Sequence, residues 1–161
     1  MFNIFKSLNK DGYTVIESSL YDEHGFYSAF SKDIKSASHR VIIESPYITT
    51  RRAKEFADLL SRLNKRLKVT IYTRNPYHHD GVLIHESLEG IALLKEAGIY
   101  VKTCDDFRHR KVAIIDNAIL WEGSLNMLSQ NGSREMMRRF KSSELVSEME
   151  KFLGIKWYSR S

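Results

Sequence analysis

Apolar residues recur along this chain with two different spacings, which predict helices and strands in alternation. Three segments repeat an apolar residue every three or four positions, as amphipathic helices do: Phe26-Phe30-Ile34-Ala37, Ala53-Phe56-Leu60-Leu63 and Ile84-Leu88-Ile91-Leu94. Short apolar or alternating runs lie around these segments and predict strands, at residues 13–16, 41–43, 68–73 and 99–101.

A hairpin pattern follows residue 104. The apolar run from Val112 to Ile115 predicts a buried strand, Asp116-Asn117 a tight turn, and Ala118 to Trp121 the returning strand. Residues 136–140 predict one more strand. A closing helix is indicated by Leu145, Met149 and Phe152, and Gly154 ends it.

These elements predict one α/β domain over residues 1–161, with a mixed β-sheet flanked by helices. Asp22 is placed to cap the first helix, and Thr49 or Thr50 the second, while Gly98 suits the end of the third. Residues 1–12 are polar and are expected to form a loosely ordered lead-in.

The polar residues at the open end of the hairpin suggest chemistry on a phosphate ester. Residues two apart on an extended strand project to the same side, so His109 and Lys111 are expected to point together. The hairpin returns Gly123, Ser124 and Asn126 beside them. One nucleophile, one cation and two neutral hydrogen-bond donors would then share a small space.

Composition narrows the class of protein. A 42% apolar fraction with mixed charges argues for a soluble globular protein, and no apolar run approaches the roughly 20 residues that span a bilayer. The start of the chain does not read as a signal peptide, and the single Cys104 suits a reducing compartment, so we expect a cytoplasmic protein. A net charge of +5 is compatible with a polyanionic partner and equally with an ordinary basic protein.

The hairpin resembles the active-site signature of the phospholipase D superfamily. That signature reads H-x-K, four residues, D, six residues, G-S-x-N, and the chain matches it with His109, Lys111, Asp116, Gly123, Ser124 and Asn126. Ser45-Pro46-Tyr47 and Ala97-Gly98-Ile99 are also familiar in the superfamily. Trp121 to Asn126 is similar to its small bacterial nuclease-like branch, which includes domains appended to helicases.

The resemblance implies roles for these residues. His109 would attack phosphorus to form a phosphohistidine, while a second His protonates the leaving oxygen and later activates water. Lys111, Ser124 and Asn126 would hold the non-bridging oxygens, and Glu135 is the candidate for orienting the imidazole. Asp116, as a turn residue, and Gly123 would give structural support, and the mechanism needs no metal or other cofactor.

The number of motifs implies an assembly. The superfamily mechanism uses two His-Lys motifs, and this chain carries one, since none of its other five histidines is followed by Lys at the same spacing. Members with one motif work as symmetric homodimers, so the resemblance implies a site shared across a two-fold axis.

The substrate class rests on fewer residues. Tyr47, Arg51, Arg74 and Arg108 are candidates for contacts with nucleic acid, although the basic residues could equally form a solvated face. Nucleic acid is therefore the expected partner, DNA before RNA, with a helicase or another nucleic-acid-processing protein as a further partner and no membrane. Two alternatives stay open: a phospholipase or phosphatidyltransferase, and a binding module without chemistry. His78-His79-Asp80, with His85, suggests either a metal site or a polar loop near the active site.

Overall fold

A computed structural model of the protein describes residues 5–9, 12–63, 66–129 and 132–155, with side chains described from residue 17 onward. Within these ranges the strands are β1 Phe5–Asn9, β2 Gly12–Asp22, β3 Arg40–Glu44, β4 Lys68–Arg74, β5 Tyr100–Cys104, β6 Val112–Ile115, β7 Ile119–Gly123 and β8 Met136–Lys141. The helices are α1 Phe26–Ser36, α2 Thr50–Ser61, α3 Val82–Glu96 and α4 Ser143–Leu153. A 3₁₀ turn spans Pro76–His78 between β4 and α3.

The strands form one mixed sheet in the order β1-β2-β8-β7-β6-β3-β4-β5. The neighbours β3, β4 and β5 are parallel, while β6 to β8 and β2 join as an antiparallel set beside β3. Helices α1, α2 and α3 connect successive strands from β2 to β5, as connections between parallel strands require. The predicted α/β class with a mixed, helix-flanked sheet is confirmed.

Both faces of the central strands are buried, which explains their unbroken apolar runs. Val41 and Ile43 belong to the larger core cluster with α1 and α2, whereas Ile42 between them belongs to a second cluster with Val146 of α4. In β6, Ala113 and Ile115 likewise belong to the larger cluster, and Val112 and Ile114 belong to the second one. Successive side chains along each strand therefore point alternately into two hydrophobic cores, one on each side of the sheet.

A buried carboxylate fixes β7 and β8 to α1. Asp33 accepts hydrogen bonds from Trp121 Nε1 at 2.8 Å and from Arg139 Nε and Nη2 at 2.7 and 2.9 Å. Trp121 is fully buried and packs edge-on against Phe26 and Phe30. Because Trp121 lies two residues before Gly123, this network anchors the strand that leads to the predicted site.

The helix ends agree in part with the predicted caps. Thr49 accepts from the backbone N–H of Arg52, and Gly98 takes a positive φ of 81° after α3, both as predicted. Asp22 is the wrong cap for α1, because β2 runs on to Asp22 and its carboxylate accepts from the N–H groups of His24 and Gly25 in the turn that follows. Gly25 is the residue at the N-cap.

The predictions for the two chain ends need correction. Part of the lead-in, Phe5–Asn9, is a strand paired with β2, so a loosely ordered lead-in is wrong there, while residues 1–4 and 10–11 lie outside the described residues. Strand pairing uses backbone groups, so a polar sequence at a sheet edge can form it. Phe152 is 69% exposed, so α4 buries Val146 rather than Phe152.

Candidate active site

The strand directions bring the signature residues to one edge of the sheet. Strand β6 runs antiparallel to β3 and β7, so its start lies where β3 and β7 end, and β8 starts at the same edge. His109 and Lys111 therefore stand at this edge just before β6. Ser124 and Asn126 follow β7, and Glu135 precedes β8. The juxtaposition that the hairpin pattern predicts is present.

His109 and Lys111 are in direct contact. The Lys111 Nζ lies 2.6 Å from His109 Nδ1 and donates to the His109 carbonyl oxygen at 2.7 Å. Since an ammonium group can only donate, Nδ1 is the acceptor in this contact. Desolvation, followed by the nearby charges of Lys111 and Arg74, lowers the pKa of His109. A lowered pKa favours the neutral imidazole, which is the form that can act as a nucleophile.

Lys111 feels the charge of a carboxylate as well as the contact with the imidazole. Desolvation lowers the pKa of Lys111, and the charge of Glu135 acts in the opposite direction. Glu135 accepts a hydrogen bond from Ser133 Oγ at 3.1 Å, and its backbone N–H donates to Glu23. Among the described residues it makes no hydrogen bond to the His109 ring. Its expected role in orienting the imidazole therefore stays a prediction.

The Gly-Ser pair is explained by how closely β7 and β8 approach. A Cβ added to Gly123 would lie 2.2 Å from the Met136 carbonyl oxygen, so no side chain fits there. Ser124 completes the pairing, since its N–H donates to that same oxygen at 3.0 Å and its Oγ accepts from Met136 N–H at 3.1 Å. The hydroxyl proton of Ser124 is not used in these bonds and is available to a ligand.

Asn126 presents a polar atom without a partner. Its Oδ1 is buried and has no hydrogen-bond partner among the described residues. A buried polar atom left unpaired is costly, and it is commonly satisfied by a ligand or water. The unpaired atom is the acceptor of the amide, whereas a phosphate oxygen would bind its Nδ2 donor, so the expected role of Asn126 stays a prediction.

Asp116 supports the opposite edge of the sheet. Its carboxylate accepts from the backbone N–H groups of Ser38, His39 and Arg40, each at 2.9 Å, ahead of β3. These bonds help to lower the pKa of Asp116. The prediction of a turn residue is confirmed, with φ of 52°, but Asp116 does not touch the residues around His109.

The two arginines that flank His109 form ion pairs on the opposite face of this segment. Arg108 pairs with Asp106 at 2.6 Å and Glu44 at 3.3 Å, and Arg110 pairs with Glu44 at 2.8 Å. Alternation along an extended chain separates both from His109. The charge of Arg108 is therefore already compensated by carboxylates, and its expected contact with substrate stays a prediction.

The remaining candidates for substrate contacts, Tyr47, Arg74 and Arg51, differ in whether the structure places them beside His109. The Tyr47 ring lies edge-on to His109, with 5.7 Å between ring centroids, and Arg74 is close enough to depress the pKa of His109. Arg51 instead lies on α2, where it pairs with Glu55 at 3.0 Å. The structure therefore brings Tyr47 and Arg74 close to His109, while the contact of Arg51 with substrate stays a prediction.

Two polar groups are buried although the sequence did not predict their burial, and one of them belongs to the loop that was expected near the active site. His79 is buried with both ring nitrogens unpartnered among the described residues, and it packs 5.0 Å from Tyr47 between ring centroids. Desolvation, then the charge of Arg74, lowers the pKa of His79. Asp33, beneath β7, is the second. A charged residue beside the apolar stripe of α1 was the available signal for Asp33, whereas nothing in the sequence distinguished His79 from His78.

The described ranges hold neither a membrane-spanning helix nor a cluster of metal ligands. None of their helices is long and apolar enough to cross a membrane. No group of three or more His, Cys, Asp or Glu side chains in these ranges converges as metal ligands would.

The chain belongs to the phospholipase D-like family, because residues 30–157 match the family model described as the cardiolipin synthase, PLD-like domain. Among solved structures it is similar to Nuc, a phospholipase D family member from Salmonella typhimurium, with a TM-score of 0.70 at 17% identity over 88% of this chain and 94% of Nuc. NucT from Helicobacter pylori gives 0.65 at 22% identity, over 86% of this chain and 94% of NucT.

More distant similarities differ in extent. Phosphatidylserine synthase from Haemophilus influenzae gives a TM-score of 0.63 at 12% identity, over 89% of this chain and 41% of that protein. A curated relative, the catalytic polypeptide of DNA polymerase epsilon from Kluyveromyces lactis, is 29% identical over 118 residues, which cover 65% of this chain and 5% of the polymerase polypeptide. At these identities the structural similarities establish the fold alone.

Proposed function

We propose that the protein is a metal-independent phosphodiesterase that cleaves nucleic acid, DNA before RNA, through a covalent phosphohistidine. The observation that carries this proposal is the contact of His109 with Lys111 at the sheet edge where Ser124 and Asn126 also stand. A neutral imidazole, an adjacent ammonium and hydrogen-bond donors are the groups that an in-line displacement at phosphorus requires.

The proposed reaction begins with a change of partner for Lys111. For His109 Nε2 to attack, its lone pair must be free, so the ring proton must lie on Nδ1, which Lys111 now occupies as a donor. A non-bridging phosphate oxygen is a better acceptor for the ammonium. When substrate binds, Lys111 turns to that oxygen, the ring releases its Nε2 proton to water and takes a proton from water at Nδ1, and this Nδ1–H donates to a carboxylate such as Glu135. Nε2 then forms the bond to phosphorus as the bond to the leaving oxygen breaks.

The leaving oxygen needs a proton from a second group, and a homodimer would supply it. The sequence holds one His-x-Lys motif, so His109 of the partner subunit, in its protonated imidazolium form, would give its proton to the leaving oxygen. That imidazole would next take a proton from water, which attacks phosphorus and releases His109. The two protomers would thus exchange the roles of nucleophile and acid around a two-fold axis.

Arg74 supports nucleic acid as the substrate. Its guanidinium makes no ion pair with any carboxylate of the described residues, although it lies near His109. An uncompensated cation beside the nucleophile would bind a phosphate of a polyanion, with the salt dependence that such contacts produce. A helicase or another nucleic-acid-processing protein would be a further partner.

A lipid phosphodiester is the second candidate substrate. The loop after β4 and the start of α3 expose two large side chains, Tyr77 at 72% and Val82 at 75%. Exposed apolar side chains near an active site are what an enzyme acting at a lipid surface would use. A nucleic-acid-binding module without chemistry is disfavoured, since the complete set of signature residues is present.

One experiment separates these candidates. The protein is incubated in EDTA with labelled single-stranded DNA, duplex DNA, RNA and phosphatidylcholine vesicles, beside His109→Ala and the control His39→Ala. His39 is exposed at the opposite sheet edge, so its loss tests the removal of a histidine as such. We expect cleavage of nucleic acid in EDTA, a loss of at least about a thousandfold in His109→Ala, and no loss in His39→Ala.

The intermediate and the assembly have separate tests. Denaturation during turnover of a phosphate-labelled substrate should leave an acid-labile, base-stable label on the wild-type protein and none on His109→Ala. Sedimentation at the enzyme concentration of the assay should show a dimer. Wild-type cleavage by His109→Ala would refute the mechanism, and an active monomer would refute the shared site.

A further inference from the structure

The loop before the His-x-Lys pair holds an aromatic ring in solvent. Phe107 is 62% exposed and has a φ of 51°, in the left-handed region that few non-glycine residues adopt. Such backbone conformations persist where the surroundings impose them, and they concentrate at binding and catalytic sites. Phe107 is two residues from His109, so the strained position lies beside the proposed nucleophile.

Two planar groups hold Phe107. The His78 ring is stacked on it, with 4.5 Å between centroids and 12° between planes, and the Arg74 guanidinium carbon lies 4.8 Å from the Phe107 centroid. We call Phe107, His78 and Arg74 the aromatic platform. Asp105 steadies it, because its carboxylate lies 3.7 Å from His78 Nε2 and accepts from Asn75 Nδ2 at 2.7 Å.

Within the platform, the Arg74 guanidinium makes no ion pair with a carboxylate of the described residues. Arg74 Nε is buried without a hydrogen-bond partner there, and His78 Nδ1 is in the same state. Arg108 and Arg110, by contrast, are paired with carboxylates on the other side of the same loop. The aromatic platform therefore offers flat rings beside an uncompensated cation, which matches a base and its phosphate together.

Resting on the proposed function, we propose that the aromatic platform is a nucleobase-stacking subsite, and that the substrate is single-stranded where it crosses the site. A base in a duplex has both faces covered by its neighbours, so only an unpaired base can stack on Phe107. Arg74, next to both Phe107 and His109, would hold the phosphate that connects the stacked base to the cleaved bond.

The geometry favours a base over a lipid chain at this position. Phe107 is engaged by an imidazole and a guanidinium rather than by apolar side chains, and these polar groups would have to be desolvated for the ring to enter hydrocarbon. A stacked nucleobase, in contrast, can lie beside the imidazole and the guanidinium, because planar polar groups are themselves stacking partners for a base.

The test measures binding in the His109→Ala background, so that cleavage does not interfere. The ligands are a fluorescent single-stranded oligonucleotide, an abasic oligonucleotide of the same length, its duplex, and vesicles of phosphatidylcholine with phosphatidylglycerol. The variants are Phe107→Leu, which keeps an apolar side chain without a ring, and Phe107→Tyr, which keeps the ring. Tyr100→Ala is the matched control, because Tyr100 is 63% exposed and lies at the start of β5, on the opposite sheet edge.

We expect Phe107→Leu to bind the single strand roughly 5- to 150-fold more weakly, the usual range for losing one stacked base. Its affinity for the abasic strand should not change, and Phe107→Tyr and Tyr100→Ala should bind both strands as the parent does. The parent should prefer the single strand to the duplex. Thermal melting confirms that each variant is folded.

Three results would overturn the inference: equal loss on the abasic strand, unchanged binding of the single strand, or weakened binding to vesicles alone, which would assign the ring to a lipid surface. Cleavage by the wild-type protein is scored separately. If it cleaves no oligonucleotide while Phe107→Leu loses only base-dependent binding, the nuclease proposal fails and the stacking subsite stands. If the wild-type protein cleaves single strands while Phe107→Leu binds them normally, the nuclease proposal stands and the stacking subsite fails.

Discussion

Replacing Gly123 by Ala tests whether the close approach of β7 and β8 builds the site. The added Cβ would lie 2.2 Å from the Met136 carbonyl oxygen and 2.9 Å from Met137 Cα, whereas Cβ atoms in proteins keep at least 3.0 Å from such neighbours. Both neighbours are backbone atoms, so rotating a side chain cannot remove the clash. The two strands must separate by close to an ångström at the point where Ser124 bonds to Met136.

The expected cost follows from this displacement. Overpacking of a dense interior typically costs about 1–3 kcal/mol, and a backbone clash with loss of the Ser124 bonds lies at the upper end, about 3 kcal/mol. For a chain of 161 residues this corresponds to a fall in Tm of roughly 6–12 °C. Urea denaturation and thermal melting measure it, with cleavage followed at a temperature where the variant is folded.

Gly25→Ala is the matched control. Gly25 has a φ of −81°, and its nearest neighbour to an added Cβ is a side-chain atom, Asp22 Oδ1 at 3.3 Å. Its loss should cost less than about 1 kcal/mol, the usual difference between Gly and Ala at an N-cap. If Gly123→Ala were as stable as the control, the argument from strand approach would be refuted. Full cleavage activity in a destabilised Gly123→Ala would show that Ser124 is not positioned by this contact.

Two further predictions concern charge. Because burial, Lys111 and Arg74 depress the pKa of His109, the acid limb of the rate of phosphohistidine formation, where the nucleophile gains a proton, should have its midpoint below pH 6.5, and Arg74→Gln should move that midpoint upward by removing a cation; a wild-type midpoint of the acid limb above 6.5, or no upward movement, would contradict this. Asp33→Ala should lower the free energy of unfolding in urea by about 3 kcal/mol, since it leaves the Trp121 indole N–H unpaired and the Arg139 guanidinium with Glu17 at 3.3 Å as its remaining carboxylate, whereas Asp58→Ala, on the exposed face of α2, should cost less than about 0.5 kcal/mol.

Local patterns predicted most of the elements, because their periods are set by burial. The apolar stripes gave the first three helices, and Thr49 and Gly98 marked ends whose hydrogen bonds involve nearby residues only. Asp22 was misassigned because the length of β2 depends on its partner β8, which lies far along the chain. Phe5–Asn9 was missed for the same reason, since its pairing with β2 has no hydrophobic period to reveal it.

The site was predictable where spacing sets geometry and unpredictable where distant chains meet. His109, Lys111 and the Ser124 turn follow from one hairpin, so their proximity is a local property. The pairing of Arg108 with Glu44 joins residues 64 positions apart, and the stack of His78 on Phe107 joins two loops. Such contacts depend on the strand order β6-β3-β4-β5, which the sequence alone did not specify.

Glu44 has a consequence for which way the nucleophile faces. It is almost fully buried at the end of β3 and takes both Arg108 and Arg110, while His109 between them projects to the other side. A slip of one residue in this segment would turn His109 towards Glu44 and leave the two arginines without their buried carboxylate. The misaligned form would leave the buried Glu44 carboxylate without its two arginine partners. Its free energy would therefore rise by more than the loss of packing contacts alone would cost. The ion pairs of Arg108 and Arg110 with Glu44 therefore fix the register of this segment. They keep the His109 side chain on the face of the segment that carries the site.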